Sequence, residues 1–153
     1  MVGILIVEPN VLWQNIIKNN LQSRINDVLI NICGDYSSAD SLIGGNPSIF
    51  AGETYDINII NTDIPLESNG EIIFGKGIDL AQRIVDLQKQ TPKTIYMTGE
   101  NNESLGRARA FGFKNLYFRG PREDSGKFGC ELDIYRDIRE HFERLEQQHV
   151  ALR

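Results

Sequence analysis

Short apolar runs recur along the chain at intervals too wide for hairpins: "GILIV" (3–7), "VLINI" (28–32), "INII" (57–60), "TIYM" (94–97) and "NLYF" (115–118). Each is flanked by turn formers and reads as a strand. Between them the spacing turns helical. Leu12, Ile16, Ile17 and Leu21, then Leu80, Ile84 and Leu87, recur at the steps of three, four and seven that line one helix face. The segment "SSADSLIGG" (37–45) predicts a short helix with a serine cap, stopped by Gly44 and Gly45 ahead of Pro47. The last stretch, "ELDIYRDIREHFERLEQQHVALR", sets Ile134, Ile138, Phe142 and Leu145 on one stripe with Leu152 beyond. It predicts a long amphipathic helix whose end, 146–153, protrudes or acts as a linker.

Five strands alternating with five helices predict a parallel sheet covered on both faces, because parallel neighbours need crossovers and right-handed βαβ units supply them. Strands covered on both faces are continuously apolar, which places Leu5, Ile6, Ile59, Ile60 and Met97 in the core. Two connections are longer than this fold requires, "LESNGEIIFGKG" (66–77) and "GPREDSGKFGCE" (120–131). Both are rich in glycine and charge and leave carboxyl ends of strands, where open α/β sheets bind ligands. They read as tolerated surface insertions or as caps over a pocket.

Composition narrows the function classes. A chain of 153 residues, 41% of them hydrophobic, fills the core of one domain spanning 1–153 without metals or disulfides. Its net charge of −5 argues against direct nucleic-acid or anionic-membrane binding, so proteins are the expected partners. Cys33 and Cys130 stand far apart with no CxxC or His/Cys metal spacing, which fits reduced thiols in a cytoplasmic setting. No apolar run approaches the roughly 20 residues of a membrane span, and "MVGILIVEPN" lacks the basic region of a signal peptide. His141 and His149 have no ligand or triad partner at a suggestive spacing and read as solvated.

The candidate chemistry lies at the strand exits: Glu8 after the first, Asn61 and Asp63 at the third, Thr98 after the fourth, Arg119 after the fifth. In order along the chain, "ILIVEPN", "YDINIINTDIP", "GID", "YMTGENNE" and "FGFKNLYFRGP" resemble the successive signatures of the response-regulator receiver domain of two-component signalling. The resemblance runs from about residue 3 to the final helix. It implies a flavodoxin-like, doubly wound α/β fold with five parallel strands in the order 2-1-3-4-5 and helices on both faces. Receivers carry their phospho-accepting aspartate four residues before the proline matched by Pro65; here that position is Asn61.

In the family, two acids after the first strand, the phosphorylated aspartate and a backbone carbonyl two residues on hold magnesium. The matching positions are Glu8, Pro9, Asn61 and Asp63. Proline offers no side-chain oxygen and asparagine only a neutral one, so the acidic pocket is degenerate and no metal or other cofactor is expected. A carboxamide is also too weak a nucleophile to form an acyl phosphate. Thr98 matches the hydroxyl that contacts the phosphoryl group, and Gly99 the small residue beside it. Either Arg119 replaces the family lysine, or a one-residue insertion puts Gly120 there, and the aromatic switch position falls correspondingly on Tyr117 or Leu116. An arginine there keeps the charge but not the compact ammonium.

The resemblance therefore implies a pseudo-receiver: a non-enzymatic signalling module that works through protein contacts, with a kinase, an output domain or another signalling protein, independently of aspartyl phosphorylation. Family partners dock on the face corresponding to 102–145, with Leu105, Arg107, Arg109 and Tyr117, and a weak homodimer through that face is expected. Two alternatives compete. One is a phosphorylatable receiver using Asp63, which requires the carboxylate to move by about 6 to 7 Å along an extended chain. The other is a flavodoxin-like redox or small-ligand protein, for which "EPNVLW" lacks the hydroxyl- and glycine-rich phosphate loop. No GxxxxGK[ST] loop is present for nucleotide hydrolysis.

Overall fold

The computed structural model describes residues 2–44, 54–89, 91–116, 140 and 143. Within them a parallel sheet runs in the order β2-β1-β3-β6-β7: β1 Val2–Val7, β2 Val28–Cys33, β3 Ile57–Asn61, β6 Ile95–Thr98 and β7 Lys114–Asn115. This is the 2-1-3-4-5 order of a flavodoxin-like fold, with an antiparallel ribbon, β4 Ile64–Pro65 and β5 Ile72–Ile73, standing apart from the main sheet. Four helices connect the strands: α1 Val11–Arg24, α2 Tyr36–Leu42, α3 Lys76–Gln88 and α4 Asn102–Ala110. A 3-10 turn, Pro92–Thr94, leads into β6.

Two apolar clusters form because both sheet faces are covered. One holds Leu5, Val7, Ile60, Met97 and the buried stripe of α3, Ile78, Ala81 and Ile84. The other holds Ile4, Ile6, Ile57, Ile59 and Tyr96 with Ile17 and Leu21 of α1. All five residues expected in the core are buried. Three expected helix-stripe residues are not: Leu12, in the first turn of α1, is 64% exposed, Leu87, in the last turn of α3, is 45% exposed, and Ile16 is half-buried.

Local chemistry sets the element ends. Asn10 caps α1, its Oδ1 accepting from the amides of Leu12 and Trp13 at 2.9 and 3.3 Å. The short second helix is present, but its cap is Asp35, whose carboxylate accepts from the Ser38 amide at 2.9 Å and the Ser38 hydroxyl at 2.8 Å, and not a serine. The carboxylate is the stronger acceptor and favours the positive end of the helix dipole. The connection 66–77, expected as a loop, instead contributes β5 and the turn into α3. Of the predicted fifth helix only Glu140 and Glu143 are described, both helical and exposed; its 146–153 end, the 120–131 connection, Cys130, His141 and His149 lie outside the described residues.

Gly77 is the most tightly packed of the described glycines. A Cβ there would lie 1.7 Å from the carbonyl oxygen of Asn61, and the Gly77 amide donates to the Thr62 carbonyl at 2.9 Å. Only a glycine lets α3 start this close to the end of β3. Gly77→Ala is expected to lower stability by about 1–3 kcal/mol or more, as overpacking does. Gly106, mid-way along α4 with nothing within 4 Å of its notional Cβ, supplies the control: Gly106→Ala is expected to gain about 0.5–1 kcal/mol of helix propensity. Urea midpoints of the two variants check this, and equal effects would mean that the Gly77 contact is not a constraint.

Candidate functional site

Sheet register brings the site together. Val7 pairs with Ile60, so Glu8 and Asn61 emerge from neighbouring strands, and Asn61 pairs in turn with Thr98 at the end of β6. The ladder continues past the strand ends: Glu8 N–H donates to the Cys33 carbonyl at 3.0 Å, and Thr62 N–H to the Thr98 carbonyl at 2.9 Å. Three parallel strands thus deliver an acid, an amide and a hydroxyl to one edge.

Asn61 joins both sides of this edge. Its Nδ2 donates to Glu8 Oε2 at 2.9 Å, and its Oδ1 accepts from the Asp63 amide at 2.9 Å. The Asp63 amide can only donate, so it fixes which end of the carboxamide is oxygen, and the nitrogen faces Glu8. The other Glu8 oxygen accepts from the Asn10 amide at 3.2 Å, and Gln14 Nε2 holds the Glu8 carbonyl at 2.6 Å.

Glu8 is only 2% exposed. Burial raises its pKa above the ordinary 4.5, the hydrogen bonds from Asn61 and Asn10 pull it back, and the nearby Glu100 pushes it up further. Because the folded carboxyl holds its proton more tightly than the unfolded one, the contribution of Glu8 to stability falls as pH rises above the unfolded value.

Asp63 has its own commitments. Oδ1 accepts from the Gly75 amide at 2.8 Å and from the Ser104 hydroxyl at 2.8 Å, tying the end of the β4–β5 ribbon to the first turn of α4. Arg107 of α4 closes over the same point, since a Cβ on Gly75 would lie 2.7 Å from its guanidinium. Beneath lie two fully buried hydroxyls, Thr62 Oγ1 and Thr98 Oγ1, with no hydrogen-bond partner among the described residues. Gly99, at φ +146°, covers them closely: a Cβ there would meet Thr62 Oγ1 at 2.7 Å and Asn61 Oδ1 at 3.4 Å.

The structure therefore assembles Glu8, Pro9, Asn61, Asp63, Thr98 and Gly99 at one sheet edge, while Arg119, Gly120 and Tyr117 lie outside the described residues. Leu116 is described and buried. Sequence reasoning missed Thr62, Ser104, Glu100 and the capping role of Asn10. Asn10 was open to detection, as an asparagine immediately before a helical stripe. The other three act through long-range packing, which spacing does not reveal. On the face predicted for partners, Arg107 and Arg109 are exposed but Leu105 is not: it lies on the inner side of α4, 3% exposed.

The donor set does not fit a divalent cation of the kind the resemblance implies. Both Glu8 oxygens already accept N–H groups, Pro9 has nothing to give, and Asn61 turns its nitrogen towards the acid. Among the described residues no group of three His, Cys, Asp or Glu side chains could hold a metal. A hard cation needs converging oxygens and charge. Cys33 is a free thiol pushed up to about 12 by burial and the nearby Asp35, so it is unreactive at neutral pH. No helix of the described residues is long and apolar enough to cross a membrane.

No family model matches the chain, and no curated protein sequence matches it. Solved structures do match. A CheY-like response-regulator receiver domain protein from Methanospirillum hungatei JF-1 superposes with a TM-score of 0.61 at 15% identity, covering 97% of this chain and 98% of that one. The signal receiver domain of a DNA-binding response regulator from Colwellia psychrerythraea 34H gives 0.59 at 17% identity, covering 94% and 99%. The manganese-bound form of the response regulator Rcp1 gives 0.60 at 11% identity, covering 75% and 78%. The chain thus has the fold of CheY-like receiver domains.

Asn61→Asp tests the electrostatics of the site without any ligand. It replaces the donor facing Glu8 by a second carboxylate, and two acids in such contact cannot both ionise cheaply. The pair's upper folded pKa then lies above its unfolded value, so the lost stability is small at about pH 4 and grows as pH rises through that folded pKa. A deficit of about 1–3 kcal/mol relative to the native chain is expected at pH 7. Urea denaturation across this range measures it, and a pH-independent deficit would contradict the contact.

Proposed function

We propose that this chain is an atypical receiver, a single signalling domain that acts by binding other proteins and neither takes up phosphate at the aspartyl position nor catalyses a reaction. The observation that carries this reading is the Asn61 Nδ2 to Glu8 Oε2 hydrogen bond of 2.9 Å. A carboxamide stands where receivers carry their acceptor carboxylate, and it gives an N–H to the acid that would otherwise face a cation. The amide neutralises the demand for charge that magnesium meets in the family. The likeness to receiver structures supports the signalling role, and the net charge of −5 supports protein partners over nucleic acid. A kinase, an output domain or another signalling protein fits the partner class, and an aqueous cytoplasmic setting fits the chain. Asp63 is a poor substitute acceptor, because its Oδ1 already serves Gly75 and Ser104.

The native protein is expected to show no mass gain with acetyl phosphate and no change in Trp13 fluorescence at millimolar magnesium. Trp13 reports on the site because its amide is held by the Asn10 cap, two residues from Glu8. Asn61→Asp alone restores a nucleophile but leaves Pro9 unable to ligate, so weak metal binding and slow labelling are expected. Pro9→Asp added to it should improve both, with magnesium raising the stability of the double variant by binding only its folded state. Efficient labelling of the native chain at Asp63 would sink the proposal.

A further inference from the structure

Asn69 is the only asparagine of the chain that is followed by glycine. It sits at the tip of the ribbon, on the connection from β4 to β5, where the Gly70 amide donates to the Glu67 carbonyl at 3.0 Å and closes a β-turn. Asn69 fills the third position of that turn at φ +64°, a conformation asparagine tolerates better than most residues. Asn69 and Gly70 are both exposed, as are their neighbours Glu67, Ser68 and Glu71. The base of the ribbon is held by the Ser37 amide on the Leu66 carbonyl at 2.9 Å and the Gly75 amide on Asp63 Oδ1 at 2.8 Å. Behind the tip stand only two strand pairs, Ile64 with Ile73 and Pro65 with Ile72. So short a ribbon opens at little cost.

This placement favours an intramolecular reaction. The Gly70 backbone nitrogen, once it gives up its proton, can attack the side-chain carbonyl carbon of Asn69. The new N–Cγ bond closes a five-membered succinimide, and the bond from Cγ to the side-chain nitrogen breaks, releasing ammonia. Water then opens the ring at either carbonyl, leaving aspartate or isoaspartate. The net change is amide plus water to carboxylate plus ammonium, with no change of oxidation state. A side chain on the following residue obstructs the attack, and glycine has none. The asparagines near the sheet edge are differently placed. The nitrogen after Asn61 belongs to Thr62, a buried β-branched residue whose N–H continues the sheet ladder to the Thr98 carbonyl at 2.9 Å. That after Asn10 belongs to Val11, also β-branched and already in the first turn of α1.

We propose that Asn69 is a self-modification site, at which the folded chain converts the neutral amide at its ribbon tip into an aspartyl or isoaspartyl carboxylate. The product sets a third acid between Glu67 and Glu71, beside the exposed Ile72, Ile73 and Phe74. Isoaspartate also lengthens the main chain of the turn by a methylene carbon, displacing the Gly70 amide from the Glu67 carbonyl. Asn61 keeps its amide, so the sheet-edge site persists unchanged while the ribbon tip ages.

Incubation of the purified full chain at neutral and mildly alkaline pH, in water enriched in heavy oxygen, tests this by peptide mass spectrometry. The peptide carrying residue 69 is expected to gain the mass of an amide becoming a carboxyl, to take up a heavy oxygen, and to react faster at the higher pH. Its rate should exceed that of peptides carrying any other asparagine at least about tenfold. Isoaspartate is expected alongside aspartate, read as resistance to an aspartate-specific protease and as methyl transfer from S-adenosylmethionine by an isoaspartyl methyltransferase. Asn69→Gly suits the positive φ, should keep the native circular dichroism and should abolish the acidic species. Gly70→Ala puts a Cβ 3.0 Å from the Glu67 carbonyl oxygen and in the path of the attack, and should slow the reaction at least about tenfold. A chain that stays unmodified at residue 69 overturns the proposal. So does reaction spread evenly over the asparagines, an acidic species that persists in Asn69→Gly, or aspartate formed without isoaspartate.

Discussion

Glu8 puts a carboxylate at the mouth of the sheet with almost no access to water, and a charge held there has to be met by donors or surrendered to a proton. Every other feature of the site follows from how that demand is met. The parallel register of β1 and β3 sets residue 61 beside it, and the residue at that position supplies an N–H. The amide of Asn10 supplies the second donor, and it does so while the Asn10 side chain caps α1. The start of the first helix and the exit of the third strand are thereby fastened through one buried acid. Both oxygens of that acid are thereby engaged by N–H donors.

A second fastening point lies on the other side of Asn61. Asp63 holds the ribbon's return at Gly75 and the first turn of α4 at Ser104, and Arg107 closes over the same place. Between the two points sit Thr62 and Thr98, buried and without hydrogen-bond partners among the described residues. A buried hydroxyl is normally satisfied by a protein group or an ordered water.

The central sheet was legible in the sequence because strands covered on both faces have no solvent side to alternate with: Leu5, Ile6, Ile59, Ile60 and Met97 stand in mainly apolar runs, broken in β3 only by the buried Asn58. The strand exits were legible for the same reason, as the places where those runs stop. Helix faces were harder, since periodicity names a stripe but not where the core ends; Leu12 and Leu87 belong to their stripes yet lie in terminal turns and are exposed. The β4–β5 ribbon was hidden by its composition. "LESNGEIIFGKG" has the glycines of a loop, and its pairing depends on Ile64 being buried and on a contact with α2 that is distant in sequence. Asn61 and Glu8 were identifiable as candidates, but the hydrogen bond between them depends on register, which the apolar pattern specifies only once the strands are aligned.

The place of β1 in the strand order has a consequence for how the chain is made. Val2–Val7 is made before the other four strands of the sheet yet lies in its interior, between β2 and β3, with β6 one strand further out. Its partner β2 arrives within about thirty residues, but the strand on its other side is not complete until residue 61, and that strand's outer edge stays open until residue 98. The growing chain therefore carries an unpaired apolar strand edge while residues 34–98 are made, at elongation rates of about 5–20 residues per second. An open apolar edge of this kind is where a growing chain is exposed to aggregation until its partner strand arrives.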